Sequence, residues 1–158
     1  ILGPGSLFTS IVPNLLVEDL AASISNSDAL KMYVCNVAQQ PGETEGYSVL
    51  DHLNVVRHYA GERSVNLVIA NGNLLRDGPP HPARLVNPDT DMGDRTIYVQ
   101  ADVIDESNPV HHDSAKLAEV IAATYRKYRG VRRRLPRHSS RRSRAGHAGA
   151  GRLDRGDV

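Results

Sequence analysis

Short apolar runs alternate with amphipathic stretches along this chain. Ile1-Leu2 reads as the end of a buried strand, and Gly3-Pro4-Gly5-Ser6 as a turn leading out of it. Leu7–Asn14 has the pattern of a short helix. A second helix is predicted from Val17 to Ser25, with Leu16, Leu20 and Ile24 spaced four apart on one apolar face. Lys31–Val37 is a continuous, β-prone apolar run, the signature of a strand buried on both sides. Ala38–Tyr47 is a polar, glycine-containing loop. Ser48–Tyr59 is predicted helical, opened by an approximate capping box between Ser48 and Asp51 and stopped by Gly61. Val65–Ala70 is a further buried strand. Asn71–Asp94 is a long loop punctuated by Pro79, Pro80, Pro82 and Pro88, with a brief strand at Arg84–Val86. Thr96–Ile104 alternates as a strand. A last helix is expected from Asp113 to Lys127, with Leu117, Val120, Ile121 and Thr124 facing inward.

Strands alternating with helices imply an α/β fold: a Rossmann-like, doubly wound, mainly parallel sheet with helices on both faces. Ile1-Leu2 is too short for a whole strand and no initiator Met precedes it. The fold is therefore expected to be incomplete at the N-terminus, and the chain to be the C-terminal portion of a larger protein. In such sheets ligands gather at the carboxyl ends of the strands. The glycine turn and the Ala38–Tyr47 loop each follow a strand, so they should share one rim and line one cleft.

Composition changes this picture at one end. Residues 1–125 hold seven Lys/Arg against sixteen Asp/Glu, a balance of −9, whereas residues 126–158 hold twelve against two, a balance of +10. The organisation expected is one domain over 1–125 and a basic, disordered tail over 126–158, too poor in large apolar residues to offset the entropy of ordering. Charge alone would let such a tail bind nucleic acid or anionic lipid. Its arginines are not interleaved with aromatic residues that stack on bases. A solvated tail, or the product of a frameshift in GC-rich coding sequence, accounts for it better than nucleic-acid binding. No apolar run approaches the roughly 20 residues of a membrane span, and a cytoplasmic location is the default expectation. The single Cys35 lies in the apolar run Met32-Tyr33-Val34-Cys35 and reads as a buried, inert thiol.

The candidate chemistry sits in two segments. In the first, Gly3 and Gly5 leave backbone N–H groups open to close approach. Ser6 stands at a helix N-cap, and Thr9 and Ser10 add hydroxyls in the first turn. Such a turn offers an anion, typically a phosphate, unpaired donors and a helix dipole. The competing reading is a tight strand-to-helix turn with no ligand. The second segment, Asn36 to Tyr47, is dense in amides, carboxylates and hydroxyls. These suit sugar hydroxyls or base edges, or oxygen ligation of a divalent cation. The alternative is a loop that satisfies its own backbone. Asp51 and His52 follow on the next helix, but adjacent helical positions face different ways, which disfavours a catalytic dyad.

The run Gly3-Pro4-Gly5-Ser6-Leu7-Phe8-Thr9-Ser10-Ile11-Val12-Pro13-Asn14, with Val34-Cys35-Asn36-Val37, Gln40-Pro41-Gly42-Glu43-Thr44-Glu45-Gly46-Tyr47 and Asp51-His52, resembles the YvcK family of gluconeogenesis-factor proteins, relatives of the CofD phospholactate transferases. Ala101-Asp102-Val103-Ile104 and the later His112-Asp113 also look like that family, so the resemblance covers residues 1–125. It implies a Rossmann-like, cytoplasmic, often homodimeric protein. Such a protein binds UDP-N-acetylglucosamine and influences cell-wall synthesis, cell shape and gluconeogenic growth, without an established reaction, cofactor or metal. The CofD alternative is an enzyme that transfers a phospholactyl group from a guanylylated donor with magnesium. Gly3-Pro4-Gly5-Ser6-Leu7 is more similar to the YvcK branch. On this reading the ligand and its phosphates are met by Gly3, Pro4, Gly5, Ser6, Thr9, Ser10, Asn14, Asn36, Gln40, Gly42, Glu43, Thr44 and Tyr47, with Asp51, His52, His111 and His112 behind them. His111 stands where the family commonly has Arg, and would hold a phosphate more weakly at neutral pH. The Asn71–Asp94 segment matches the family poorly.

Overall fold

A computed structural model describes residues 1–73, 84–93 and 95–130. The Asn71–Asp94 loop is thus described only in part: Pro79, Pro80 and Pro82 lie outside the described residues, as does the tail from residue 131 onward. Three parallel strands, β1 (Met32–Val34), β2 (Leu67–Asn71) and β3 (Ile97–Ala101), form a sheet in the order β1-β2-β3. Leu2 extends it beyond β1 by a parallel bridge to Tyr33. The Leu2 N–H donates to Met32 O at 2.8 Å, and the Val34 N–H donates to Leu2 O at 2.9 Å. Helices cover both faces, as the strand–helix alternation predicts. Strand order runs in one direction across the described residues.

Alternate strand residues point to opposite faces, and this divides the core in two. Tyr33, Cys35, Val68 and Ala70 pack with Leu7, Ile11, Val12, Leu15, Leu53 and Val56 on one side. Met32, Val34, Leu67 and Ile69 pack with Val103 and Leu117 on the other. The first side carries α1 (Val12–Leu15), α2 (Glu18–Asn26) and α3 (Val49–Ala60); the second carries α4 (Ser114–Tyr128).

The α3 boundaries are written locally. Ser48 accepts from the Asp51 N–H, and the Asp51 carboxylate accepts from the Ser48 N–H, a complete capping box. Gly61 closes the helix at φ +84°, its N–H bonded to Arg57 O. Asp113 caps α4 by accepting from the N–H groups of Ala115 and Lys116. That helix runs through Arg126–Tyr128, three residues into the segment expected to be tail.

Two expectations are corrected. The helix after the glycine turn opens as a π-helical turn, Leu7–Ile11, before becoming α1. The Ile11 N–H donates to Ser6 O and the Val12 N–H to Leu7 O. Pro13 has no N–H, and its ring crowds the carbonyl four residues back, which accounts for the wider preceding turn. The second correction concerns Leu16, Leu20 and Ile24. The chain bends by 84° between the segments Leu7–Leu15 and Glu18–Asn26, so Leu16 is not on α2. Leu16 is 62% and Leu20 40% exposed, and α2 buries Ala21, with Ile24 packed against the core. The thiol of Cys35 is fully buried as expected, and burial raises its pKa to about 12.

Candidate functional site

The glycine turn and the loop after β1 meet on one rim and are bonded to each other. The Gly5 N–H donates to Asn36 Oδ1 at 3.1 Å, and the Ser6 hydroxyl donates to Glu43 Oε2 at 2.7 Å. Asn36 in turn donates its amide to Gln40 Oε1 at 3.2 Å. Ser6 is the N-cap of the helical segment, its Oγ accepting from the Thr9 N–H. Both glycines are closely packed. A Cβ on Gly3 would lie 2.7 Å from Val34 O, and Gly3 sits at φ +77°, so this glycine lets the turn press against β1. A Cβ on Gly5 would meet that of Ser10 at 3.3 Å. Among the described residues, nothing accepts from the N–H groups of Leu7, which is fully buried, and Phe8, which is partly exposed.

Pro4, Thr9, Ser10 and Asn14 stand exposed along this turn, the Asn14 amide donating to Ser10 O. The loop is a built structure. Thr44 is buried, and its hydroxyl accepts from the Gln40 N–H at 2.9 Å. Gly42 (φ +77°) and Gly46 (φ +79°) turn the chain on either side of Glu43 and Glu45. Tyr47 closes the loop in T-shaped contact with Phe8 and with His52.

The four residues placed behind the ligand are scattered. Asp51 is committed to the α3 capping box. His52 is fully buried; its Nδ1 meets Ser48 O at 2.8 Å, which makes Nδ1 the donor, and its Nε2 has no described partner. Burial lowers the His52 pKa. His112 reaches the rim, with Nε2 3.2 Å from Cys35 O at the end of β1, and burial lowers its pKa too. His111 is exposed, and its backbone pairs with Asn108 and Asp105.

Three features of the rim escaped the sequence reading. Gln39 is buried, donating its amide to Leu85 O and accepting from the Gly46 N–H, so it ties the loop to the strand-like segment at Leu85. Nothing in Gln39-Gln40 says which amide turns inward. Asn71 ends β2 and binds Asn73 at both ends of its amide. Asp102 follows β3 and accepts from Lys116 Nζ at 3.1 Å, while Glu106 stands 3.5 Å from the same ammonium. Slight burial raises the Asp102 carboxyl, but hydrogen bonds from Lys116, Asn73 and the Ile104 N–H carry it below its ordinary range. The rule that ligands sit past strand ends, applied to β3, would have found Asp102. Among the described residues no three His, Cys, Asp or Glu side chains are grouped to hold a metal ion. No single described helix is long and apolar enough to cross a membrane.

Residues 1–127 match the family described as 2-phospho-L-lactate transferase CofD. A Nostoc protein provisionally named a gluconeogenesis factor is 38% identical over 135 residues, covering 79% of this chain and 30% of that protein. The gluconeogenesis factor of Bacillus subtilis is 34% identical over 130 residues, covering 77% and 41%. A crystal structure of a UPF0052 family member from Bacillus halodurans superposes with a TM-score of 0.68 at 32% identity, over 77% of this chain and 41% of that one. The chain therefore spans less than half the length of these relatives.

Proposed function

The chain belongs to the CofD family, within which its curated relatives are gluconeogenesis factors, and we propose that it is a sugar-nucleotide-binding regulatory protein. Its ligand is UDP-N-acetylglucosamine, and the bound state adjusts cell-wall synthesis, cell shape and growth on gluconeogenic carbon in the cytoplasm, through a homodimer. One observation carries this reading: the glycine turn and the Asn36–Tyr47 loop are joined by the Gly5–Asn36 and Ser6–Glu43 hydrogen bonds at the carboxyl end of a parallel sheet. That is where open α/β sheets hold ligands. The unpaired N–H of the partly exposed Phe8, with the exposed Thr9 hydroxyl, suits a phosphate. The amide and carboxylate groups of the loop suit hydroxyls.

Calorimetric titration of UDP-N-acetylglucosamine, with GDP as control, tests the reading. Selective binding of the uridine ligand supports it; binding of GDP alone overturns it. The CofD family match itself favours a second reading, phospholactyl transfer from a guanylylated donor with magnesium. Product formation that requires magnesium would establish that activity. Ligand binding without turnover would remove it.

A further inference from the structure

We infer that residues 84–92 form a strap that sets the shape of the loop between β1 and α3, with Gln39 and Asp89 as its positioning residues, and that the strap thereby governs ligand capture. The part about ligand capture rests on the sugar-nucleotide reading above; the mechanical coupling does not.

The strap grips both ends of that loop. At the entrance it pairs antiparallel with the chain leaving β1, Leu85 opposite Ala38. The Val86 N–H donates to Val37 O at 2.9 Å, and the Gln39 N–H donates to Arg84 O at 2.7 Å. At the exit Asn87 lies beside Ser48 in a parallel bridge. There the Val49 N–H donates to Asn87 O at 3.1 Å, and the Leu50 N–H donates to Asp89 Oδ2 at 2.6 Å. Val49 and Leu50 open α3, so the Asp89 carboxylate meets the positive end of that helix. A hydrogen bond to a charged acceptor is stronger than a neutral one, which makes Asp89 the latch. Val86 and Met92 are buried in the same core cluster as Leu53 and Val56 and hold the strap down.

Gln39 carries the grip into the loop. Its N–H is held by Arg84 O, and its side-chain amide donates to Leu85 O at 3.2 Å. Its Oε1 accepts from the Gly46 N–H at 2.8 Å, seven residues further on. The side chain is buried, where a hydrogen bond left unmade is costly. Lifting the strap strips Gln39 of two partners and frees its amide to turn, which releases Gly46. The loop's own bonds, from the Glu43 and Thr44 N–H groups to Gln40 O, fold its tip but do not fix its ends. That tip carries Glu43, the residue bonded to Ser6. Strap docking, loop shape and the Ser6–Glu43 bond therefore open and close as one unit. A ligand that needs the closed loop favours the docked strap, and anything that holds the strap away weakens that ligand by the same factor.

Amide hydrogen exchange, followed by NMR, tests the coupling on the native protein, on Asp89→Ala, and on Asp89→Ala combined with Ala38→Cys and Leu85→Cys. The bonds flanking Ala38 and Leu85 make them a non-hydrogen-bonded antiparallel pair. The Cα separation of about 4.5 Å usual for such a pair admits a disulfide. In the native protein the Gly46 and Leu50 amides should exchange together, and faster than Val68 and Ile69 in β2, which report global unfolding. Asp89→Ala should speed both about tenfold and weaken UDP-N-acetylglucosamine about three- to tenfold by calorimetry. The engineered disulfide should restore slow exchange at Gly46, and its reduction should abolish the rescue. Faster exchange at Leu50 alone, or a disulfide without effect on Gly46, overturns the strap. Faster exchange at Gly46 with unchanged affinity overturns its control of ligand capture. Coupled exchange in a native protein that binds no UDP-N-acetylglucosamine overturns the nucleotide reading and leaves the strap standing.

Discussion

The Ser6 hydroxyl donates to the Glu43 carboxylate at 2.7 Å across 37 residues of sequence. One hydroxyl thereby caps a helical segment, through the Thr9 N–H, and fastens the loop after β1 to the turn before it. It also sets a negative charge where the helix end would attract an anion.

Replacing that charge should help an anionic ligand. Glu43→Gln keeps an acceptor for Ser6 but removes the repulsion of a diphosphate. Affinity for UDP-N-acetylglucosamine should rise about three- to tenfold, with a stability loss of about 1 kcal/mol as a charge-assisted hydrogen bond becomes a neutral one. Calorimetry and urea unfolding measure the two effects. A fall in affinity would mean that Glu43 contacts the ligand, directly or through a cation.

Two glycines with nearly the same φ should respond unequally to alanine. At Gly42 the added methyl meets nothing within 4 Å, so only the left-handed conformation is penalised, about 1–2 kcal/mol. At Gly3 the same penalty is joined by a 2.7 Å contact with the Val34 carbonyl, a backbone atom that cannot turn aside. Gly3→Ala should cost more than about 3 kcal/mol in urea unfolding. Equal losses would contradict the packing of the turn on β1.

Stability should fall on mild acidification. Burial lowers the pKa values of His52 and His112 in the folded state, so the unfolded chain binds protons more readily. This stabilisation is complete above the unfolded value of about 6.5 and is lost as pH falls below it toward the depressed folded values, at about 1.4 kcal/mol per unit of depression. Urea midpoints at pH 7.5 and 5.5 would show the slope, and His52→Phe should reduce it. An unchanged slope in that variant would exclude His52 as a source.

Cys35 should resist thiol reagents in the native state. Its side chain is fully buried, and its pKa is pushed up to about 12, so almost no thiolate forms near neutrality. Labelling should appear only in denaturant; rapid native labelling would show that the β1 end opens.

Much of the rim was legible locally. The Ser48–Asp51 box, the Gly61 stop and the Ser6 cap are contacts within a few residues, and each was readable from residue type and spacing. The buried β-prone runs of β1 and β2 were readable for a similar reason, since a strand covered on both faces carries no polar alternation. Leu16 and Leu20 misled because periodicity assumes one straight helix, and the bend at Leu16-Val17 breaks the phase. Gln39 and Thr44 looked like ligand-facing polar groups or loop surface. Only packing turned both inward to hold the loop.

Element order, the caps and the parallel α/β class follow from residue order alone, because they depend on local propensity, turn chemistry and hydrophobic period. Tertiary structure decided the bonds between distant polar groups: Gly5 to Asn36, Ser6 to Glu43, and His112 to Cys35 O. It decided as well that Gly3 serves the sheet. Those pairings depend on which strand ends lie side by side, and that is fixed only when the sheet assembles and its two apolar faces are covered.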